Sequence, residues 1–484
     1  MGSVLSTRQR LLVLAVAGLA LAALAVASAG GGHAVVKPVP FAHNVAGDTA
    51  LSFPPDTNYC LTNLGIHCYQ PAQLQKAYDL GPLFASGIDG RGKTIVIVDS
   101  FGSPTIANDL HVFDQTFGLP DPPSLKVYQP AGPVPPFDPT DDDMVGWAQE
   151  TTLDVEWSHV FAPGANIVLL ETPVSETEGV TGFPEIVAAE NWAINRGIGD
   201  VISMSFGATE QTFPNNAAIY GLRSAFFNAR AHHVALLAGT SDTGATDYQL
   251  NLEDLYTFPV VAWPASDPLV TAIGGTQLTL DENGNRLAPD VVWNDDYGAG
   301  GGGLSTVFGR PDFQDGLGSI VDHHRGVPDI SMSAAVDGGV DVYYSFLNPA
   351  NGWHIFGGTS ESSPEFAGIV ALADQYGGRR IDDLNAALYR LDYQHGLVDV
   401  TQGDNTITFQ NTDGNTYTVQ GFPALPGYDL SSGVGTIDGA YFVPALAGRP
   451  KGPHHGQNWP PGSGGNGNHH GEKHGGSPHG PPAR

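Results

Sequence analysis

The chain has 484 residues and a formal charge of −30, from 20 basic and 50 acidic side chains. That length suits one large domain or a few ordinary ones, and 41% hydrophobic residues suffice for a packed core. So strong an acidic excess argues against nucleic acid as a partner, and it suits an acidic medium, where many carboxyls are neutral and their repulsion fades.

At the N-terminus, Arg8 and Arg10 precede the apolar run LLVLAVAGLALAALAVASA, which ends in Ala27-Ser28-Ala29. A charged start, an apolar centre and a small-residue end predict an export signal over 1–29. The protein is then expected to be secreted and free of the membrane after cleavage; an uncleaved anchor is the alternative. Residues 30–70 read as a loop-rich extension. Its Cys60 and Cys68 are the two cysteines of the chain, and in an exported protein they are expected to close a small disulfide loop.

From 71 to 447 the composition is even, which predicts one domain. KTIVIVD (93–99), ANIVLLE (165–171), DVISMSF (200–206) and HVALLAG (233–239) are nearly continuous apolar runs, as in strands buried on both faces. Helical stretches are expected at 144–160, 184–195 and 215–230. The alternation predicts an α/β fold, doubly wound on a mostly parallel central sheet, with ligands at the carboxyl ends of its strands. ITFQNTDGNTYTV (407–419) reads as a hairpin turning at Asp413-Gly414. The tail, 448–484, is rich in Gly, Pro and His and is expected to be disordered, without a ligand.

Chemistry is sought first in FGGTSESSPEFAG (356–368), where Ser360 follows a glycine pair and precedes a helical stretch. A serine there is either a nucleophile served by the helix dipole or an N-cap. No histidine has a recognisable active-site context and GxSxG is absent, so a base must come from the carboxylates. The stretch MVGWAQETTLDVEWSHVFAPG offers two. Trp147, Glu150, Asp154 and Trp157 share one helical face, whereas Glu156, about 200° round the helix from Asp154, is expected to face water. A third acid, Asp242, ends the strand of LLAGTSDTGATD (236–247). The acidic loop DPTDDDM (138–144) either lines a cleft or faces solvent.

Together these segments resemble the sedolisin family, serine-carboxyl peptidases of subtilisin-like fold. GGTSESSPEFAGIVAL resembles the nucleophile segment, E-T-T-L-D the Glu-x-x-x-Asp helix motif, and T-S-D-T-G-A the oxyanion segment. The resemblance implies Ser360 as nucleophile, Glu150 as base, Asp154 as its orienting partner and Asp242 as oxyanion aspartate. It implies one structural calcium, held by Asp399, the carbonyls of Val400, Leu425 and Gly427, and Asp429. The expected function is that of a secreted, acid-active endopeptidase on protein or peptide substrates, and a monomer. The alternative is a non-catalytic exported binding protein on a peptidase scaffold. Three features depart from the family. No long prodomain separates the signal from YQPAQLQKAYDL, Glu361 stands where a small residue is usual, and TSDTG replaces S-G-D-S-G.

Overall fold

The four apolar runs form adjacent parallel strands. The computed structural model describes residues 43–44 and 50–451; the expected export signal and the tail beyond 451 lie outside the described residues. The sheet strands are β1 (Thr94–Ser100), β2 (Leu125–Tyr128), β3 (Asn166–Thr172), β4 (Val201–Met204), β5 (Ala235–Gly239), β6 (Thr271–Gln277), β7 (Val291–Val292) and β8 (Ile330–Ser333). Their lateral order is β2-β3-β1-β4-β5-β6-β8, all parallel, and the short β7 pairs antiparallel with the end of β6.

Side-chain alternation along β1 shows why both faces are apolar. Ile95 and Ile97 join a core with Leu153, Trp157 and Phe366, while Val96 and Val98 join another with Ile186, Val187 and Phe226. The first face carries α1 (Ile106–Phe117) and α2 (Asp142–Phe161); the second carries α3 (Phe183–Ile194) and α4 (Ser224–Ala231). The expected helix at 215–230 is two helices, Asn216–Leu222 and α4, broken at Arg223.

Beyond α2 lies an antiparallel pair, β9 (Gly339–Tyr344) and β10 (Gly352–Gly357), which runs into α5 (Thr359–Gly377). The Trp157 indole donates to the Asp341 carbonyl at 2.9 Å, fixing α2 to this pair. With sheet and α5 on one side and β9–β10 on the other, every residue of α2 from Glu150 to Phe161 is buried. The expectation that Glu156 faces water is therefore wrong. It is fully buried and accepts the Tyr343 N–H at 3.2 Å. The face argument presumed one wet side, and this helix has none.

Part of the 30–70 stretch is ordered by this pair as well. Thr57–Asn63 is a helix, Cys60 and Cys68 are bonded with S–S 2.05 Å, and Cys68–Tyr69 adds parallel to Gly339–Val340. The 407–419 hairpin forms as expected, Ile407–Gln410 against Thr416–Val419. It leans on the loop after β5: Ala245 N–H donates to Asn405 O at 2.9 Å, and Leu255 and Asn411 exchange two bonds of 3.0 Å.

Candidate active site

Two glycines let β10 turn directly into α5. Gly358 has φ +128°, a region that L side chains rarely adopt, and a Cβ on Gly357 would sit 2.8 Å from the Val336 backbone. The turn puts Thr359 and Ser360 in the first turn of a 19-residue helix. Ser360 is not the cap, since Gly358 holds that position. Its Oγ donates to the Ser205 carbonyl, beyond β4, at 3.3 Å. Pro364 lacks the N–H that would otherwise bond the Ser360 carbonyl, so this turn is held more by its surroundings than by its own ladder.

The carboxyl groups converge on this turn from three elements. Glu150 of α2 lies between Ser360 and Asp154, close enough to each to shift its proton affinity but short of good hydrogen-bond geometry. Such contacts are often long in a site without substrate. Ser205 Oγ donates to Asp154 Oδ1 at 2.8 Å, so one residue touches both the serine and the second acid. Asp242 lies in the loop after β5, where Thr359 N–H and Oγ1 donate to its Oδ1 at 2.7 and 2.9 Å. Ser360, Glu150 and Asp154 are fully buried and Asp242 is 4% exposed.

Burial sets the electrostatics. Desolvation, then repulsion from Asp154, pushes Glu150 well above the carboxylate range; desolvation, then Asp99, does the same to Asp154. Asp99 was not singled out from the sequence. It ends β1 on this face, is fully buried, accepts Thr151 Oγ1 at 2.9 Å, and is pushed by burial up to about 7. Glu361 is also fully buried and is raised by desolvation and by Asp242. Such a cluster holds protons into neutral pH. Residues 138–143 of the acidic loop are exposed and Met144 is buried, and Asp141 caps α2 by accepting from Asp143 and Met144 N–H groups.

The expected calcium ligands lie at the edge of the same loop system. Asp399 accepts Gly427 N–H at 3.2 and 3.1 Å on its two oxygens, and Tyr393 Oη at 3.0 Å. Asp429 accepts Leu425 N–H at 2.9 Å and both the N–H and Oγ of Ser431 and of Ser432. Val400 is buried and Leu425 is 52% exposed. Among the described residues no three His, Cys, Asp or Glu side chains form a metal cluster.

No family model matches the chain. Over 391 residues it is 30% identical to kumamolisin of Bacillus sp. (strain MN-32), covering 78% of this chain and 63% of that protein. It is 29% identical over 273 residues to sedolisin of Pseudomonas sp. (strain 101), covering 54% and 43%. The chain thus spans less than two thirds of these curated relatives. Among solved structures it is similar to Pseudomonas sedolisin, a serine-carboxyl proteinase complexed with pseudo-iodotyrostatin. That match has a TM-score of 0.64 and 25% identity, over 79% of this chain and 99% of that one. On these likenesses the chain belongs to the sedolisin family of serine-carboxyl peptidases, with a subtilisin-like fold.

Proposed function

We propose that the protein is a secreted, acid-active serine-carboxyl endopeptidase. The observation that carries this reading is the single buried cluster of Ser360, Glu150, Asp154 and Asp242, gathered at the carboxyl end of a parallel sheet. Ser360 Oγ attacks the scissile carbonyl while Glu150 takes its proton and later returns it to the leaving amine. Asp154, held by Ser205, orients Glu150 and shares a proton with it. The pair acts with one proton missing, since two buried carboxyls one helical turn apart do not both ionise. Asp242, neutral and anchored by Thr359, donates to the tetrahedral oxyanion beside the Ser360 N–H. Carboxyl groups suit a medium near pH 4, where an imidazole is already protonated and cannot act as base.

Export rests on the N-terminal pattern; among the described residues no helix is long and apolar enough to cross a membrane. One structural calcium fits the donor set. Asp399 and Asp429 are both buried, burial raises each and the Asp429 charge raises Asp399 further, and the ligands expected beside them are carbonyl oxygens. Bound there, a cation would neutralise the two acids and tie residues 399–400 to 425–429.

The test is incubation of the purified protein and of Ser360→Ala with a denatured protein at pH 4 and pH 7, with products read by mass spectrometry. Internal cleavage at pH 4 that the variant loses by at least 10³-fold is expected. Equal cleavage by the variant would overturn the reading.

A further inference from the structure

The strand that leads to Ser360 is held through both edges of its sheet by chain that precedes residue 71. β9 and β10 are the inner pair of a four-stranded sheet whose outer strands are His43–Asn44, beside β10, and Cys68–Tyr69, beside β9. His43 stands opposite Gly357 and Asn44 opposite Phe356, in antiparallel register. Further back along β10, Leu51 and Trp353 exchange two N–H to O bonds of 2.9 Å each. The approach is close: a Cβ on Gly352 would sit 2.5 Å from the Leu51 carbonyl oxygen.

The rest of the extension ties this contact to the body. Cys60, Ile66 and Cys68 are buried in one small cluster with Ile355 of β10. Thr57 Oγ1 donates to the Cys68 carbonyl at 2.8 Å and accepts from Gln73 Nε2 at 2.9 Å. Tyr69 Oη donates to Leu278 O at 3.0 Å and accepts Leu280 N–H at 2.9 Å, reaching the chain just after β6. Without residues 43–69, β9 and β10 would be a two-stranded pair with both edges open. The consequence falls on the nucleophile. β10 passes through Gly357 and Gly358 straight into the turn of Thr359 and Ser360, and Pro364 leaves that turn short of one ladder bond. A strand free to shift would carry the hydroxyl with it, and displacing a reacting group by about 1 Å costs up to about 10²-fold in rate.

We propose that residues 50–69 stay in the active enzyme as a clasp, with Leu51 a positioning residue whose main chain pins β10 and so sets Ser360 against Glu150. This rests on the reading of Ser360 as a peptidase nucleophile. Any maturation cleavage then falls before Leu51, and the working enzyme begins upstream of residue 71.

The test joins the intact mass of the active protein to kcat, KM and melting temperature for the full chain, Leu51→Pro and Leu51→Ala, on a denatured protein substrate at pH 4. The active protein is expected to begin before Leu51 and to carry the Cys60–Cys68 bridge. Leu51→Pro loses the N–H that bonds Trp353, and its kcat is expected to fall about tenfold with KM held within about threefold. Leu51→Ala keeps both main-chain bonds and is expected to keep kcat within about threefold, at some cost in melting temperature. If Leu51→Pro does not fold, a specific protease site placed at the exposed Ser52-Phe53 and cut after folding must give the same fall in kcat. A fully active form that begins after Leu51 overturns the proposal, as does an unchanged kcat in Leu51→Pro or the cut chain, or an equal fall in Leu51→Ala. A full chain that cleaves nothing at pH 4 removes the peptidase reading and this inference together; cleavage with a kcat indifferent to Leu51→Pro removes the inference alone.

Discussion

Ser241 carries the cost of the altered oxyanion segment. It stands where the family usually has glycine, and its φ is +95°. A side chain there is strained by about 1–3 kcal/mol, and such strain persists only where the surroundings impose it. Here they do: Thr359 Oγ1 accepts Ser241 N–H at 3.2 Å, and Gly301 N–H donates to Ser241 O at 2.8 Å. Ser241→Gly is expected to raise stability by about 1 kcal/mol, read as a higher melting temperature, because relieved strain exceeds the added freedom of glycine in the unfolded chain. A lower melting temperature would mean that the Ser241 Oγ contact with Thr243, at 3.0 Å, outweighs the strain. At this scale the sequence was legible where a motif fixed the position. Ser360, Glu150, Asp154 and Asp242 meet as their motifs imply, whereas Asp99 and Glu156 carried no motif. Asp99 had one signal, an acid ending a fully apolar strand at the carboxyl edge of the sheet.

The joint between α2 and α5 depends on a missing side chain. Gly368 of α5 faces Phe161 of α2, and a Cβ on it would lie 2.4 Å from the Phe161 Cβ and 3.1 Å from its carbonyl carbon. Alanine in mid-helix normally gains about 1 kcal/mol over glycine. Here the overlap is with backbone as well as side chain and costs about 1–3 kcal/mol. Gly368→Ala is therefore expected to lower the melting temperature and to lower kcat, since parting the two helices moves Ser360 away from Glu150. A rise in both would show that the helices yield without cost. The element pattern was readable for the central strands because each is an unbroken apolar run between helices. The outer strands β2, β6 and β8 were not. β2 is half exposed and carries Lys126, and β6 contains Gly274 and Gly275, which β8 and Trp293 need for close approach. Nothing in α2 alone reveals that β9–β10 covers its outer side.

Buried acids spread through the whole molecule set its response to pH. Desolvation pushes Asp114, Glu176 and Glu190 each up to about 8.

 For Glu190, burial is the whole cause. A carboxyl whose folded value lies above its unfolded one favours the folded state while it keeps its proton. That stability is whole below about pH 4 and is lost as pH rises through the folded values near 7–8. Asp337 works in the opposite sense: the His67 side chain, 2.8 Å away, holds it low, so its contribution is present above about pH 4 and fades as pH falls. The melting temperature is therefore expected to peak near pH 4–5 and to fall by roughly 10 °C toward pH 8. A melting temperature that rises steadily from pH 4 to pH 8 would contradict this account. The acidic excess is visible in composition; which acids lie buried was not, because burial is decided by packing between distant segments.

The 407–419 hairpin has a consequence for the proposed cation. It springs from the chain between residues 399–400 and 425–429, and its base and turn are bonded to the loop that carries Asp242. Anything that slackens the ion's two anchor segments is thereby passed along a stiff arm to the oxyanion donor. Chelation with EDTA is expected to slow turnover several-fold before far-ultraviolet circular dichroism changes, and to lower the melting temperature, with Asp399→Asn insensitive to both. If metal removal touched the melting temperature and left turnover intact, the arm would be a passenger and the ion a local staple.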